Sequence, residues 1–300
     1  MAKVGIMHSG SQTVDGANVA AFQNSLTTDY NGSVDYAGSP LYAKDLNKDL
    51  STLANQLLDA NVEILVAAGG SRSAEVASAE RANRKPPDKP IILFTSAAPY
   101  ICNNLAPNMT GVCAHTSDHD VARLRLLIQW LSQTPFKGDR IGVLRNSDRG
   151  DEQNQMGDLK HAVRGTKWKL VPRDIKIDKT LKEAFAWLKG DIHALLMAAD
   201  PFFNENRNDL VPRATAEKYP AIFQWRQFAD IGGLMSYGPD ITKLYQQAGT
   251  MAAKFLNTGV VPGVSDVAEK DFELHVNKAT AQALKMWPLP KNVAAKAVVI

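Results

Sequence analysis

The stretch Gly233-Leu234-Met235-Ser236-Tyr237-Gly238-Pro239-Asp240 lies late in a chain of 300 residues, and the segments on either side of it indicate the fold. A pattern typical of a helix follows at 239–257. The run Phe272-Glu273-Leu274-His275-Val276-Asn277-Lys278-Ala279-Thr280-Ala281 comes next. Before the stretch, continuous apolar strands alternate with amphipathic helices from the first residues onward. This alternation predicts parallel sheets that are covered by helices on both faces.

The alternating units fall into two series. The first has predicted strands at 3–8, 62–67 and 91–95, with helices at 15–26 and 45–61 and a third that ends near 83. The second opens with a helix at 118–134 and has predicted strands at 140–145, 168–175, 193–198 and 221–225, with a helix after Asp200 that runs to about 218. Because a domain averages roughly 100–200 residues, the two series predict two doubly wound α/β lobes.

The composition is that of a folded globular protein. Hydrophobic residues make up 45% of the chain and charged residues 22%, and the formal net charge is +3. Neither long disorder nor a nucleic-acid partner is favoured by these values. No window approaches the roughly 20 consecutive apolar residues of a membrane-spanning helix. The chain begins Met1-Ala2-Lys3 and enters a strand at once, which suits a cytosolic protein or one whose export signal has been replaced by a start codon.

Small hydroxyl and glycine residues follow three predicted strands of the first series. At the carboxyl ends of parallel strands, loop N–H groups and helix N-termini can bind anions. These turns therefore predict a cradle for a ligand carboxylate, with Ser71 and Ser96 the strongest candidates. The alternative is that they are helix caps and tight turns. The candidate ligand-binding residues here are Ser9, Ser11, Gly70, Ser71, Ser96 and Ala97.

The second series has amide, acidic and aromatic side chains at the matching positions. Asp200 directly follows a predicted strand, where its carboxylate can pair with a ligand ammonium. Equally, it can cap the next helix, because Pro201 suits the first helical position. Aromatic rings near strand ends can sandwich a planar ligand. The candidate residues of this series are Asn146, Asp200, Phe202, Trp225 and Tyr237.

Motifs of enzymes and metal sites are mostly absent. Gly69-Gly70-Ser71 is not a dinucleotide fingerprint, and the chain has neither a phosphate-binding loop nor a Gly-x-Ser-x-Gly elbow. His115 and His119 have the i, i+4 spacing of metal ligands, but no third ligand can be assigned, so an exposed helix N-terminus is favoured. We therefore expect no catalytic residues, no cofactor and no metal.

Two cysteines, Cys102 and Cys113, flank a loop that is rich in proline and asparagine. In an oxidising compartment they can form a disulfide, and otherwise they are buried reduced thiols. The sequence leaves both alternatives open.

The order of these units, with the Ser236-Tyr237-Gly238 segment and the Glu273-Leu274-x-x-Asn277-x-x-Thr280-Ala281 segment, resembles the substrate-binding proteins of ABC transporters related to the tryptophan/tyrosine-binding group. The resemblance implies the type I periplasmic-binding fold, in which the chain crosses three times between lobes, near 115, 236 and 262. It places 1–114 with 236–262 in the first lobe and 115–235 with 263–300 in the second. Ala98-Pro99, where many relatives have Asp-Pro, is a departure from the pattern.

The resemblance also implies a function. We expect a monomeric, periplasmic or otherwise extracytoplasmic protein that captures a small carboxylate-bearing solute in the cleft between its lobes. The solute is expected to be aromatic or amino-acid-like, and an ABC permease in the membrane is expected to receive it. The alternatives are a cytosolic α/β enzyme, such as a dehydrogenase or racemase, and a sensor that uses the same cleft.

Overall fold

The structure is a computed structural model that describes residues 1–43, 49–84, 90–114, 116–146, 152–175 and 181–300. The chain divides into two compact units. The first unit comprises Met1–His115 and Ile241–Ala268, and the second comprises Thr116–Asp240 and Glu269–Ile300. None of the described helices is long and apolar enough to cross a membrane.

The secondary structure follows the alternation that the sequence predicts. In the described residues the strands are, in chain order, β1 (Ala2–His8), β2 (Val34–Asp35), β3 (Leu41–Tyr42), β4 (Ile64–Ala68), β5 (Ile91–Ala97), β6 (Met109–Cys113), β7 (Arg140–Asn146), β8 (Lys169–Ile175), β9 (Ala194–Met197), β10 (Ala221–Phe223), β11 (Met235–Pro239), β12 (Ser265–Asp266), β13 (Phe272–Val276) and β14 (Ala297–Val299). The α-helices are α1 (Gln12–Asp29), α2 (Leu50–Asp59), α3 (Ser71–Ala82), α4 (Pro99–Cys102), α5 (Thr116–Leu131), α6 (Glu152–Ala162), α7 (Leu181–Leu188), α8 (Pro201–Glu205), α9 (Arg207–Ala216), α10 (Arg226–Asp230), α11 (Ile241–Thr258), α12 (Lys278–Ala283) and α13 (Lys291–Ala294).

The first unit is built on one parallel sheet. Its strand order is β12-β6-β5-β4-β1-β2, and β3 also pairs with β1. Every residue of β4 is buried, as expected for a central parallel strand that helices cover on both faces. Because all the pairs are parallel, the strands β1, β4 and β5 end side by side at one edge of the sheet.

Helices α1 and α11 of the first unit pack closely against each other. Gly249 of α11 permits this approach, because a Cβ built there would lie 2.9 Å from Ser25 Cβ and would collide with the Phe22 carbonyl oxygen. The apolar face of α11, which includes Leu244 and Ala252, is buried. Helix α11, which follows β11, is therefore held in the first unit by helix packing rather than by strand pairing.

The second unit has its own sheet, with the order β14-β13-β11-β10-β9-β7-β8. Strands β11 and β13 are antiparallel, and the other pairs are parallel. Trp130 of α5 is fully buried in the core of this unit. The carboxyl ends of β7, β9, β10 and β11 lie along one edge, which is the edge that carries the candidate residues of the second series.

The two separate sheets confirm the predicted pair of doubly wound lobes. The unit boundaries lie elsewhere than at 236 and 262. Residues 236–240 belong to the second unit, because β11 pairs with β10 and β13. Residues 263–268 belong to the first unit, because β12 pairs with β6.

Some element bounds also differ from the predictions. The helix predicted at 45–61 begins at Leu50 and ends at Asp59, and its predicted start lies outside the described residues. The single helix predicted to run to about 218 is two helices, which meet at Asn206. The strand predicted at 221–225 ends at Phe223, since Trp225 already precedes the first turn of α10.

Cys102 and Cys113 form a disulfide, with their Cα atoms 6.3 Å apart. Cys102 is the last residue of α4 and Cys113 the last residue of β6. The bond therefore fastens the short helix after β5 to the neighbouring strand. Of the two alternatives that the sequence left open, the structure has the bridged one.

Candidate functional site

Two turns and the end of one strand lie at the carboxyl edge of the first sheet, and we call them the first-unit edge: the turns Ser9–Ser11 and Gly69–Ser71, and the last residues of β5, Thr95–Ala97. The two turns are joined directly. Ser9 N–H donates to the Ala68 carbonyl oxygen at 3.2 Å, and Ser9 Oγ donates to the Gly69 carbonyl oxygen at 2.6 Å. The structure thus brings these predicted residues together, and it uses the Ser9 hydroxyl within the protein.

The residue that follows β5, Ala98, is joined to the second turn through Ser71. Its Oγ accepts a hydrogen bond from Ala98 N–H at 2.9 Å, which leaves the hydroxyl hydrogen to donate elsewhere. Ser71 is the first residue of α3, and Gly70 before it has a φ of 112° and no side chain with which to cap the helix. The N-terminus of this 12-residue helix consequently presents backbone N–H groups at the first-unit edge.

Of the remaining predicted residues of this edge, Ser11 is a helix cap, whereas Ser96 and Ala97 lie in β5. Ser11 caps α1, because its side chain accepts from Val14 N–H. Ser96 is half-buried near the end of β5, where the register between β5 and β6 shifts. Ala97 is buried and pairs with Cys113.

A buried polar cluster under the first-unit edge was missed by sequence reasoning. His8, the last residue of β1, has Nε2 2.7 Å from the Tyr245 hydroxyl of α11 and 3.8 Å from Asp15 Oδ2 of α1. Asn18 Nδ2 donates to Asp15 Oδ1 at 3.2 Å, and Thr242 Oγ1 donates to Asn18 Oδ1 at 3.0 Å. The cluster links β1, α1 and α11, and of its side chains only Thr242 is not fully buried.

Tyr245 remains protonated within this cluster. Burial raises its pKa well above the ordinary value, and the nearby Asp15 carboxylate raises the pKa further. Burial and Asp15 also raise the pKa of Tyr42, whose ring lies 5.6 Å from the His8 ring. Both phenols are therefore neutral hydrogen-bonding groups at physiological pH.

Asn146 and Asp200 meet at the carboxyl edge of the second sheet. Asn146 ends β7, and its Nδ2 donates to Asp200 Oδ1 at 3.1 Å. Asp200 Oδ1 also accepts from Phe202 N–H at 2.8 Å, so Asp200 is the N-cap of α8. The capping alternative is thus realised. The cap does not exclude a ligand contact, because one carboxylate has several acceptor positions.

The three aromatic candidates of the second unit lie in different surroundings. Phe202 is buried against Phe203, with ring centroids 5.6 Å apart. Trp225 is 6% exposed, and a Cβ at Gly238 would lie 3.8 Å from its ring. Tyr237 is half-buried, and its ring lies 5.5 Å from that of Phe272. Tyr237 is therefore the most accessible of the three.

His119 differs from its predicted setting. It is buried rather than exposed, because its ring packs edge-on against Phe272 at 4.0 Å. Its predicted companion His115 lies outside the described residues. Over the described ranges, no group of three His, Cys, Asp or Glu side chains is placed to hold a metal ion.

A buried ion pair, also missed from the sequence, supports α5. Asp120 pairs with Arg123 one turn later and accepts from Gln155 of α6. Arg123 Nη1 donates to the Tyr237 carbonyl oxygen at 3.1 Å. The i, i+3 spacing of Asp120 and Arg123 is a sequence signal for an ion pair, but nothing in the sequence shows that this pair is buried. The Asp120–Arg123 pair fixes α5 to the end of β11.

Comparison with known proteins gives a consistent result. The family of ABC transporter substrate binding proteins matches residues 19–299. No curated protein matches the chain. Solved structures are similar over nearly the whole chain. An ABC domain from Streptococcus pneumonia in complex with L-Trp has 18% identity and a TM-score of 0.82, and covers 99% of this chain and 100% of its own.

Two further structures have the same fold. A conserved domain protein from Vibrio cholerae has 18% identity and a TM-score of 0.81, with 99% of each chain covered. A substrate binding protein with adhesive properties from Clostridium difficile, solved in its ligand-free, open form, has 20% identity and a TM-score of 0.64, and covers 100% of this chain and 99% of its own. Because the family matches nearly all of the sequence and these structures share its architecture, the chain belongs to the ABC transporter substrate binding proteins, with the type I periplasmic-binding fold.

Proposed function

We propose that this chain captures a small, carboxylate-bearing, amino-acid-like solute and delivers it to an ABC permease in the membrane. The observation that carries the proposal is the first-unit edge, where two turns and the end of β5 lie beside the open N-terminus of α3. The L-Trp bound to the similar Streptococcus pneumonia structure supports an aromatic amino acid as the first solute to test.

The carboxylate of the solute is assigned to the N-terminus of α3. Backbone N–H groups and the partial positive charge of a helix N-terminus favour an anion. Gly70 lets the backbone approach the ligand closely, and Ser71 retains a hydroxyl hydrogen that can donate to a carboxylate oxygen. Ser96 is the second candidate donor, since it is half-buried on the neighbouring strand.

Asn146, Asp200, Trp225 and Tyr237, at the carboxyl edge of the second sheet, are candidates for further solute contacts. Asp200 offers a negative charge for an ammonium group, and Asn146 fixes that carboxylate at 3.1 Å. Tyr237 and Trp225 offer aromatic surface to a planar side chain. An amino acid carries an anion, a cation and an apolar side chain, which are the groups that these candidate residues suit.

The chain is proposed to act by binding alone, as an extracytoplasmic monomer without a nucleic-acid partner. The disulfide between Cys102 and Cys113 supports an oxidising compartment, because such bonds are rare in the cytosol. The proposal predicts no reactive thiols in protein that is purified and unfolded without reductant. Two reactive thiols per chain in that assay would count against an extracytoplasmic location.

A thermal-shift panel tests the proposal. A solute that binds only the folded chain stabilises it by RT ln(1 + [L]/Kd), or about 2.7 kcal/mol at a hundredfold excess over Kd. We expect a concentration-dependent rise in melting temperature with at least one of L-tryptophan, L-tyrosine and L-phenylalanine. The same side chains without a carboxylate, as in tryptamine and tyramine, are the matched controls and should produce little shift. Equal shifts in melting temperature with an amino acid and with its matching amine would contradict the assignment of the carboxylate to α3.

A further inference from the structure

His8 occupies a position that the proposed function does not use. Its side chain is about 1% exposed, and it lies between the first-unit edge and α11. Nδ1 accepts a hydrogen bond from Gly10 N–H at 2.8 Å. In the neutral ring the hydrogen is therefore on Nε2, which lies 2.7 Å from the Tyr245 hydroxyl.

The His8 ring contacts both turns of the first-unit edge. It binds the turn Ser9–Ser11 through Gly10 N–H. It also packs against the turn after β4, because a Cβ at Gly69 would lie 2.9 Å from His8 Cε1. Gly69 has a φ of 86°, which glycine adopts without strain. One imidazole ring thus touches both turns.

The opposite side of the ring is held as firmly. Tyr245 is fully buried on α11, and the Asp15 carboxylate lies 3.8 Å from Nε2. Asp15 is in turn bonded to Asn18, and Asn18 to Thr242. The ring is fixed by groups from β1, α1 and α11, so its position in the unit has little freedom.

We propose that His8 is a positioning residue for solute binding: its Gly10 N–H bond holds the turn Ser9–Ser11 in shape, and its ring packs against the turn Gly69–Ser71. The proposal rests on the proposed function, because it assumes that these turns contact the solute. A binding site needs its contacting groups held within about 0.5 Å by the residues behind them. Loss of the Gly10 bond therefore reduces affinity even though His8 does not touch the solute.

Two substitutions separate the two nitrogens of the ring. In His8→Asn, the side-chain oxygen can replace Nδ1 as the acceptor for Gly10 N–H, but the contact with Tyr245 is lost. In His8→Gln, the longer side chain can reach Tyr245 instead, and Gly10 N–H loses its acceptor. Tyr245→Phe is the third variant; it keeps the Gly10 bond but removes the hydroxyl that bonds with His8 Nε2 and interacts with Thr95 and the Gly69 backbone.

The experiment measures two quantities on the full chain. The first is backbone amide exchange of Gly10 in the ligand-free protein. The second is the dissociation constant for L-tryptophan, with L-tyrosine as the second probe. Melting temperatures of all three variants show how much general stability each has lost. We expect His8→Gln to exchange Gly10 N–H faster and to bind about tenfold or more weakly. His8→Asn should bind within about threefold of wild type, although it loses stability. Tyr245→Phe should leave Gly10 N–H exchange unchanged, because the Gly10 bond to His8 Nδ1 remains.

Affinities that follow melting temperature across the three variants, with no separate effect of His8→Gln, would show that His8 is only structural. Unchanged Gly10 exchange in His8→Gln would also overturn the proposal. If the unmutated chain binds neither probe nor any other amino acid, the proposed function fails, and the positioning role fails with it. If the unmutated chain binds and His8→Gln binds equally well, only the positioning role fails.

Discussion

Replacing Ser71 by alanine tests the first-unit edge with an effect that the structure makes measurable in two ways. Ser71 Oγ is the acceptor for Ala98 N–H at 2.9 Å, and Ala98 is 2% exposed. Alanine leaves this buried N–H without its acceptor, which costs about 1–3 kcal/mol. We therefore expect Ser71→Ala to lower the free energy of unfolding by that amount.

The second effect is on solute affinity. If the Ser71 hydroxyl donates to a ligand carboxylate, its loss removes a hydrogen bond to a charged group. Such bonds contribute about 1.5–3 kcal/mol, which corresponds to roughly one to two decades in the dissociation constant. Ser71→Ala should therefore weaken binding of the best amino acid by about tenfold to a hundredfold.

Ser73→Ala is the matched control, because it removes the same group from the same helix. Ser73 is completely buried, and its Oγ has no hydrogen-bond partner in the part of the chain that the structure describes. Removing an unpaired buried hydroxyl is expected to be neutral or stabilising. Ser73→Ala should leave solute affinity unchanged.

The assay is urea denaturation together with calorimetric titration of wild type, Ser71→Ala and Ser73→Ala. Equal affinity in wild type and Ser71→Ala would remove Ser71 from the solute site. Equal unfolding free energy in Ser71→Ala would show that the Ala98 bond adds nothing to stability. A loss of affinity in Ser73→Ala as large as in Ser71→Ala would point to a general distortion of α3.

Three further predictions concern charge, packing and pH. In Asp200→Asn the melting temperature should barely change, because the oxygen that accepts from Phe202 N–H is kept and asparagine caps a helix about as well as aspartate. Calorimetry should show weaker amino-acid binding because the negative charge is lost, and equal affinity would remove Asp200 from the site. Gly249→Ala should destabilise the fold by about 1–3 kcal/mol, because its Cβ would collide with α1. In the same urea titrations Gly157→Ala, whose Cβ would meet nothing within 4 Å, should stabilise α6 by up to about 1 kcal/mol; a stabilising Gly249→Ala with a destabilising Gly157→Ala would refute the close packing of α1 and α11. Burial lowers the pKa of His275 below its ordinary 6.5, partly offset by Glu273, so the stability that His275 contributes is complete above about pH 6.5 and is lost as the pH falls below that value. His275→Gln should therefore reduce the acid-side drop in melting temperature, and an unchanged drop would show that another group causes it.

The sheets could be predicted because central parallel strands leave a plain sequence signal. Strands such as β4 and β9 are wholly apolar, and helices with regular apolar spacing stand between them. The two-residue strands β2 and β3 were not predicted, because so short a segment has no periodicity to detect. The break at Asn206 was missed for a similar reason, since the residues on both sides of it suit a helix.

The site could be predicted only as far as strand ends determine it. Ser9 meets Gly69 because parallel neighbours end at the same edge, and that rule needs no side-chain detail. His8 meets Tyr245 across 237 residues of sequence, and no spacing rule links the two. The sequence placed Asp200 correctly after its strand, but the choice between cap and ligand contact depends on side-chain geometry that only the structure supplies.

Isothermal titration of the unmutated chain with amino acids and with a neutral sugar tests the central claim most directly. We predict saturable binding of one aromatic amino acid per chain and no binding of glucose. The dissociation constant should lie in the micromolar range or below, which corresponds to about 8 kcal/mol or more of binding free energy. Heat of binding with glucose but with none of the amino acids, or no heat with either, would contradict the claim that this chain captures an amino-acid-like solute.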